Sequence, residues 1–137
     1  MRLNTVRARE LFAGERVARL ATVSPDLTPH IVPIVFAVSD DIVYTAVDAK
    51  PKSTTALRRL ANIAANPAVA LLADHYADDW TRLWWVRADG SARLADAAES
   101  EHALPLLAAR YPQYITHPPP GPVVIIRVTR WTGWAAS

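Results

Sequence analysis

Cysteine is missing from the 137-residue chain, and that one absence removes disulfides, thiolate metal sites, iron–sulfur ligation and cysteine nucleophiles together. Glycine occurs only four times. The glycine-rich Walker and Rossmann patterns that cradle phosphates are not present, nor is the G-x-S-x-G elbow of a serine hydrolase. No run of 18 apolar residues exists, which excludes a classical membrane-spanning helix. The opening M-R-L-N-T-V-R-A-R-E is charged and lacks the apolar centre of a signal peptide, so a cytoplasmic location is expected. Lysine is almost missing as well: of 15 Lys+Arg, only Lys50 and Lys52 are lysine. Positions 49 to 73 hold no acidic residue at all.

What is present fits a soluble globular chain. Hydrophobic residues make up 51% and charged residues 20%, with a mean hydropathy of +0.06, enough to fill a real interior. The length fits one domain over residues 1–137 and is too short for two. The net charge of +2 and a pI near 9.3 reflect an excess of arginine, and do not by themselves point to nucleic acid.

Periodicity predicts a short helix over Thr5–Ala13 and a strand over Arg16–Val23 ended by Ser24-Pro25-Asp26. A continuous β-branched strand over His30–Val38 and a third over Ile42–Val47 follow, the three forming an antiparallel meander. Ser53–Asn66 carries a helical stripe of Leu57, Leu60, Ile63 and Ala64, and Asn66-Pro67 ends it. Ala68–Ala73 is a short buried strand. Trp80–Ala95 is a long one, bent at Asp89-Gly90, with Trp80, Arg82 and Trp84 on one face and Trp85 and Arg87 on the other. A helix over Asp96–Arg110, a stiff H-P-P-P-G-P connector and a last strand over Val123–Val128 complete the pattern, leaving T-R-W-T-G-W-A-A-S as a tail. Six or so antiparallel strands with helices between them predict a mainly β fold, a small barrel with peripheral helices. So small a barrel is filled by its own side chains, and a ligand must bind outside it or between subunits.

Lys50 and Lys52 flank Pro51 just before the predicted helix, where Ser53 is a good N-cap and no acid answers the helix dipole. Two ammonium groups, the hydroxyls of Ser53, Thr54 and Thr55, and free backbone N–H groups compose a phosphate cradle. The alternative is a solvated pair beside capping threonines. Pro33 lies inside I-V-P-I-V-F, where it cannot donate to a ladder; it marks either a strand face on which a flat ring could lie or an ordinary edge. Asp74-His75-Tyr76 with Asp78-Asp79 lacks the spacing of a metal site, so no metal is expected. His75 and Tyr76 are candidates for the mouth of a substrate pocket. His30 and His102 are read as surface or packing residues, and His117 belongs to the connector.

The segments G-E-R-V-A-R-L-A-T-V-S-P-D-L-T-P-H-I-V-P-I-V-F, D-A-K-P-K-S-T-T-A-L-R-R-L-A-N-I-A-A-N-P, D-H-Y-A-D-D-W-T-R-L-W-W-V-R-A-D-G-S-A-R-L and I-R-V-T-R-W-T-G-W together resemble the pyridoxamine 5′-phosphate oxidase-like split β-barrel proteins. More narrowly, they resemble the flavin/deazaflavin oxidoreductases that use coenzyme F420. The resemblance implies a homodimeric split barrel with a cofactor between two subunits. It implies that Lys50, Lys52, Ser53 and Thr54 grip the cofactor phosphate, that Pro33, Ile34, Val35 and Thr45 pass its ring system, and that Trp85 and Arg87 approach from the other subunit. Reduced deazaflavin would then give hydride to a small organic acceptor, with no catalytic side chain named. The same cradle suits FMN in a flavin reductase or a pyridoxamine-phosphate-oxidase-like protein. Against true pyridoxamine-phosphate oxidation, R-V-T-R-W-T-G-W lacks the Arg-x-His element of that activity. A haem-handling barrel would bring extra length. Neither a nucleic-acid nor a membrane partner is expected.

Overall fold

The computed structural model describes residues 1–47 and 54–137. The chain runs α1 (Thr5–Gly14), β1 (Ala18–Val23), β2 (Pro29–Ile34), β3 (Ala37–Ser39), β4 (Ile42–Ala46), α2 (Thr54–Ala65), β5 (Ala68–His75), β6 (Trp84–Leu94), α3 (Ala97–Arg110), α4 (Gln113–Thr116) and β7 (Val123–Ala135), with one 3-10 turn at Trp80–Arg82. Local chemistry sets the ends. The Asn4 side chain accepts from the Arg7 N–H and starts α1, whereas Asp96 and Glu99 form a reciprocal capping box at the head of α3. Asp40, at φ 52°, turns β3 into β4, a left-handed position that aspartate tolerates.

Among the described residues seven antiparallel strands form one sheet in the order β2-β1-β5-β6-β7-β4-β3. Its two outermost strands, β2 and β3, are consecutive in the chain, separated only by Val35 and Phe36. The sheet therefore curls into a mainly β half-barrel whose seam is a covalent bend. Phe36 is fully buried there. Its N–H donates to the Tyr111 hydroxyl at 3.1 Å, and Arg110 donates to the carbonyls of Phe36 and Glu15, both at 2.6 Å. The end of α3 thus clamps the bend.

This topology corrects the predicted meander. β1 pairs with β2 and β5, while β4 pairs with β3 and β7, so the first two strands and the next two stand on opposite sides of the sheet. The run His30–Val38 is two strands rather than one. Trp80–Arg82 is not strand either. Asp79 accepts from the Thr81 N–H at 3.0 Å and caps a tight turn, which removes Trp80 and Arg82 from the face alternation. The last strand does not stop at Val128: T-R-W-T-G-W continues it to Ala135. The bend at Asp89-Gly90 is present as a bulge, and a Cβ on Gly90 would lie 2.3 Å from the Arg127 carbonyl oxygen.

Alternation sorts the strands into two faces. The inner face, with Leu20, Val43, Leu71, Val86, Val124 and Ile126, closes on α1, whose Phe12 ring lies 4.9 Å from Phe36 and 5.3 Å from Trp131. On the outer face of β3, β4 and the first half of β7, Ala37, Tyr44, Ala46, Val123 and Ile125 are covered by Ala103 and Leu107 of α3 and by Tyr111 at its C-cap. Among the described residues no helix is long and apolar enough to cross a membrane.

Candidate functional site

Among the described residues no helix crosses the other half of the outer face. Register places Pro33 beside Arg19, Arg19 beside Leu72, Leu72 beside Arg87 and Arg87 beside Thr132, one continuous row over β2, β1, β5, β6 and β7. At a strand spacing of about 4.8 Å, Pro33 and Arg87 stand roughly 14 Å apart along it. A parallel row nearby carries Asp74, Trp85 and Trp134. This surface is apolar as well as basic: Ile31 is 64% exposed, Trp134 40% and Leu72 37%. Arg87 donates through Nε to Asp89 at 3.1 Å and remains solvent-facing. The Thr132 hydroxyl is buried without a hydrogen-bond partner at the far end of the row. A surface of this kind suits a flat, partly apolar anion, because guanidinium groups supply charge and planar N–H donors beside aliphatic ground.

The predicted site residues divide between the faces. Pro33, Trp85 and Arg87 share the open outer face of a single chain. Ile34 points inward and is 5% exposed. Thr45 is not on the strand next to Pro33; it lies buried on β4, and its hydroxyl donates to the Val35 carbonyl at 2.8 Å across the seam. Val35 sits at the bend itself, packed against the cluster under α3. Lys50, Lys52 and Ser53 lie outside the described residues, and Thr54 is the first residue of α2.

Further along, α2 docks on β1 through a buried hydrogen bond from Asn62 Nδ2 to Thr22 Oγ1 at 3.0 Å. It brings Arg58 and Arg59 to His30, whose pKa is lowered by burial first and by these two cations second. Burial likewise lowers the pKa of Arg59. The end of the barrel that receives α2 is therefore positively charged. Among the described residues, no group of three or more His, Asp or Glu could hold a metal ion. In the loop after β5, Asp79 is engaged with Thr81, whose hydroxyl donates to it at 2.6 Å, while Tyr76 and Trp80 are exposed.

Sequence reasoning missed Arg19, Leu72, Thr132 and Trp134. The alternation in R-V-A-R-L-A-T-V already turned Arg19 outward, but only the strand order reveals that β1 and β5 fill the gap between Pro33 and Arg87.

A family model described as pyridoxamine 5′-phosphate oxidase matches residues 5–135. No curated protein matches. Several solved structures share the fold. An FAD-binding protein from Mycobacterium smegmatis is 23% identical, with a TM-score of 0.71 and 98% of each chain covered. A conserved hypothetical protein from Mycobacterium tuberculosis is 22% identical, with a TM-score of 0.78, covering 98% of this chain and 86% of that one. An FAD-binding protein from Mesorhizobium loti is 20% identical, with a TM-score of 0.73, covering 97% and 93%.

Proposed function

We propose, from the premise that the chain belongs to the pyridoxamine 5′-phosphate oxidase family, that it is an oxidoreductase holding coenzyme F420 on the open outer face and passing hydride to a small organic acceptor. The observation that carries this reading is the row from Pro33 to Thr132. Its residues fit such a group. Pro33 has no N–H to leave unpaired beneath a ring, Leu72 and Trp134 give apolar contact, and Arg19 and Arg87 oppose negative charge. The orphaned Thr132 hydroxyl can donate to an acceptor atom there. Lys50, Lys52, Ser53 and Thr54 are proposed to grip the phosphate, as the acid-free stretch from 49 to 73 supports. When bound, the deazaflavin supplies the hydride. The protein supplies position, a charge environment and exclusion of water.

A second copy of the chain is proposed to complete that exclusion. Ile31, Leu72 and Trp134 leave apolar area exposed on the same face, and a two-fold dimer would set two such faces together, with Trp85 and Arg87 bordering the cofactor of the mate as well as that of their own chain. A flavin in place of F420 is the second reading, favoured by the two matched proteins described as FAD-binding. Titration of the purified protein with F420, FMN and FAD, followed by fluorescence, decides between them. Tightest binding of F420 is expected. Lys52→Ala should weaken it about ten- to a hundredfold, the value of one charge-assisted contact, and added salt should weaken the wild type. An unchanged dissociation constant in Lys52→Ala would remove the lysine pair from the site.

A further inference from the structure

A second opening lies away from the row, where the first turns of α3 diverge from the sheet. It is a groove of about 400 Å³, within the range of sites for small molecules. Its floor is apolar: Ile42 and Tyr44 from β4 and Ile125 from β7, with His102 edge-on to Tyr44 at 6.0 Å between ring centres. Two arginines stand at its rim, and their situations differ. Arg93 is held by Glu99 through two contacts, 2.7 and 2.5 Å, and Glu99 also accepts from the Asp96 N–H in the helix cap. Those bonds, the one from Arg93 first, hold the Glu99 carboxyl down at about 2, so it is ionised throughout the neutral range. The Arg127 side chain has no hydrogen bond and no ion pair with any described residue. The bulge at Asp89/Gly90 sets the register that gives Arg127 this position, opposite Ser91 and Ile42.

We propose that this groove binds a small monocarboxylate with an apolar body, its carboxylate held by Arg127 and its body on Tyr44 and Ile125. One free guanidinium beside an apolar floor selects a single negative charge over a neutral molecule, since a planar guanidinium pairs with a carboxylate through two parallel N–H bonds. The ionised Glu99 at the same rim repels a second charge and so disfavours phosphate or a dicarboxylate. The site shares no residue with the row proposed for the cofactor, and the two stand or fall separately.

Titration of the full chain with benzoate, benzyl alcohol and inorganic phosphate, followed by amide and side-chain NMR shifts, tests it. Benzoate should move Tyr44, His102 and Ile125 and bind at least tenfold more tightly than benzyl alcohol, while phosphate moves none of the three. Arg127→Met should weaken benzoate at least tenfold. Ala98→Phe, on the exposed first turn of α3, should fill the groove and abolish binding with the helix intact. Shifts confined to other residues, equal affinity for the acid and the alcohol, phosphate bound as tightly as benzoate, or benzoate affinity unchanged in both variants would each overturn the proposal.

Discussion

The outer surface of one sheet is treated in two ways. Under α3 its outward positions are Ala37, Tyr44, Ala46, Val123 and Ile125, all buried, and the helix answers with Ala103 and Leu107. Across the open half the outward positions are Pro33, Arg19, Leu72, Arg87 and Thr132, two aliphatic and three polar, and among the described residues no helix covers them. Covering by a helix excludes charge at these positions, because a guanidinium beneath a helix would be buried without a partner. The open half keeps its arginines and its large apolar groups together, a mixture suited to a surface that meets an anionic ligand and a second protein rather than its own helix. Composition at outward positions thus separates the helix-covered half from the open half within one layer.

Paired truncations sharpen this contrast. Leu107→Ala, in the covered half, should cost about 2 to 5 kcal/mol in urea unfolding, since Leu107 is fully buried and its cavity cannot collapse against a strand. A cost below about 1 kcal/mol would mean α3 is not an integral cover. Arg87→Gln, in the open half, should leave the melting temperature unmoved and weaken binding of the proposed cofactor about tenfold, equivalent to about 1.4 kcal/mol. A large fall in stability instead would make Arg87 a structural residue through its pair with Asp89. Leu72→Ser should change unfolding free energy by less than about 0.5 kcal/mol while lowering the fraction of the proposed dimer in sedimentation. An unchanged dimer fraction would place the interface elsewhere.

The smallest effect concerns neither half but the turn between β3 and β4, where Asp41 accepts from Trp131 Nε1 and from Arg9, both at 2.9 Å. The bond from Trp131, and then that from Arg9, lower its pKa. A carboxyl whose folded pKa is depressed stabilises the fold above the unfolded value of about 3.9 and loses that contribution as pH falls through the folded value. Thermal melts of wild type and Asp41→Asn should therefore differ at neutral pH and converge in acid. A gap that widens on acidification would contradict the assignment.

Much of this was readable from sequence. Alternation located most strands, the helix expected over Asp96–Arg110 matches α3 to within one residue, and Gly90 located the bulge. The errors share one cause, in that periodicity reports which way side chains point and not where a strand goes. His30–Val38 reads as one continuous β-branched run although the chain leaves one margin of the sheet at Val35-Phe36 and joins the other. The signals for that bend, Arg110 and Tyr111, lie some 75 residues away. Trp80 matched a strand pattern locally, but the carboxylate of Asp79 offered Thr81 a competing turn. For the candidate site, Pro33 and Arg87 were each legible, and their shared row was not, because it depends on β1 and β5 standing between them.

The bend at Val35-Phe36 also governs when the molecule can be finished. The β1–β2 hairpin and the β3–β4 hairpin emerge first during synthesis, but the sheet positions between them belong to β5, β6 and β7, which come last. Two early hairpins tethered by two residues must wait, margins unpaired, for nearly the whole chain. Contacts of such long sequence separation make barrel closure a late and slow event, reached only after β7 has left the ribosome. Until then the exposed margins are open to pairing with other nascent chains, and removing β7 would leave them so permanently.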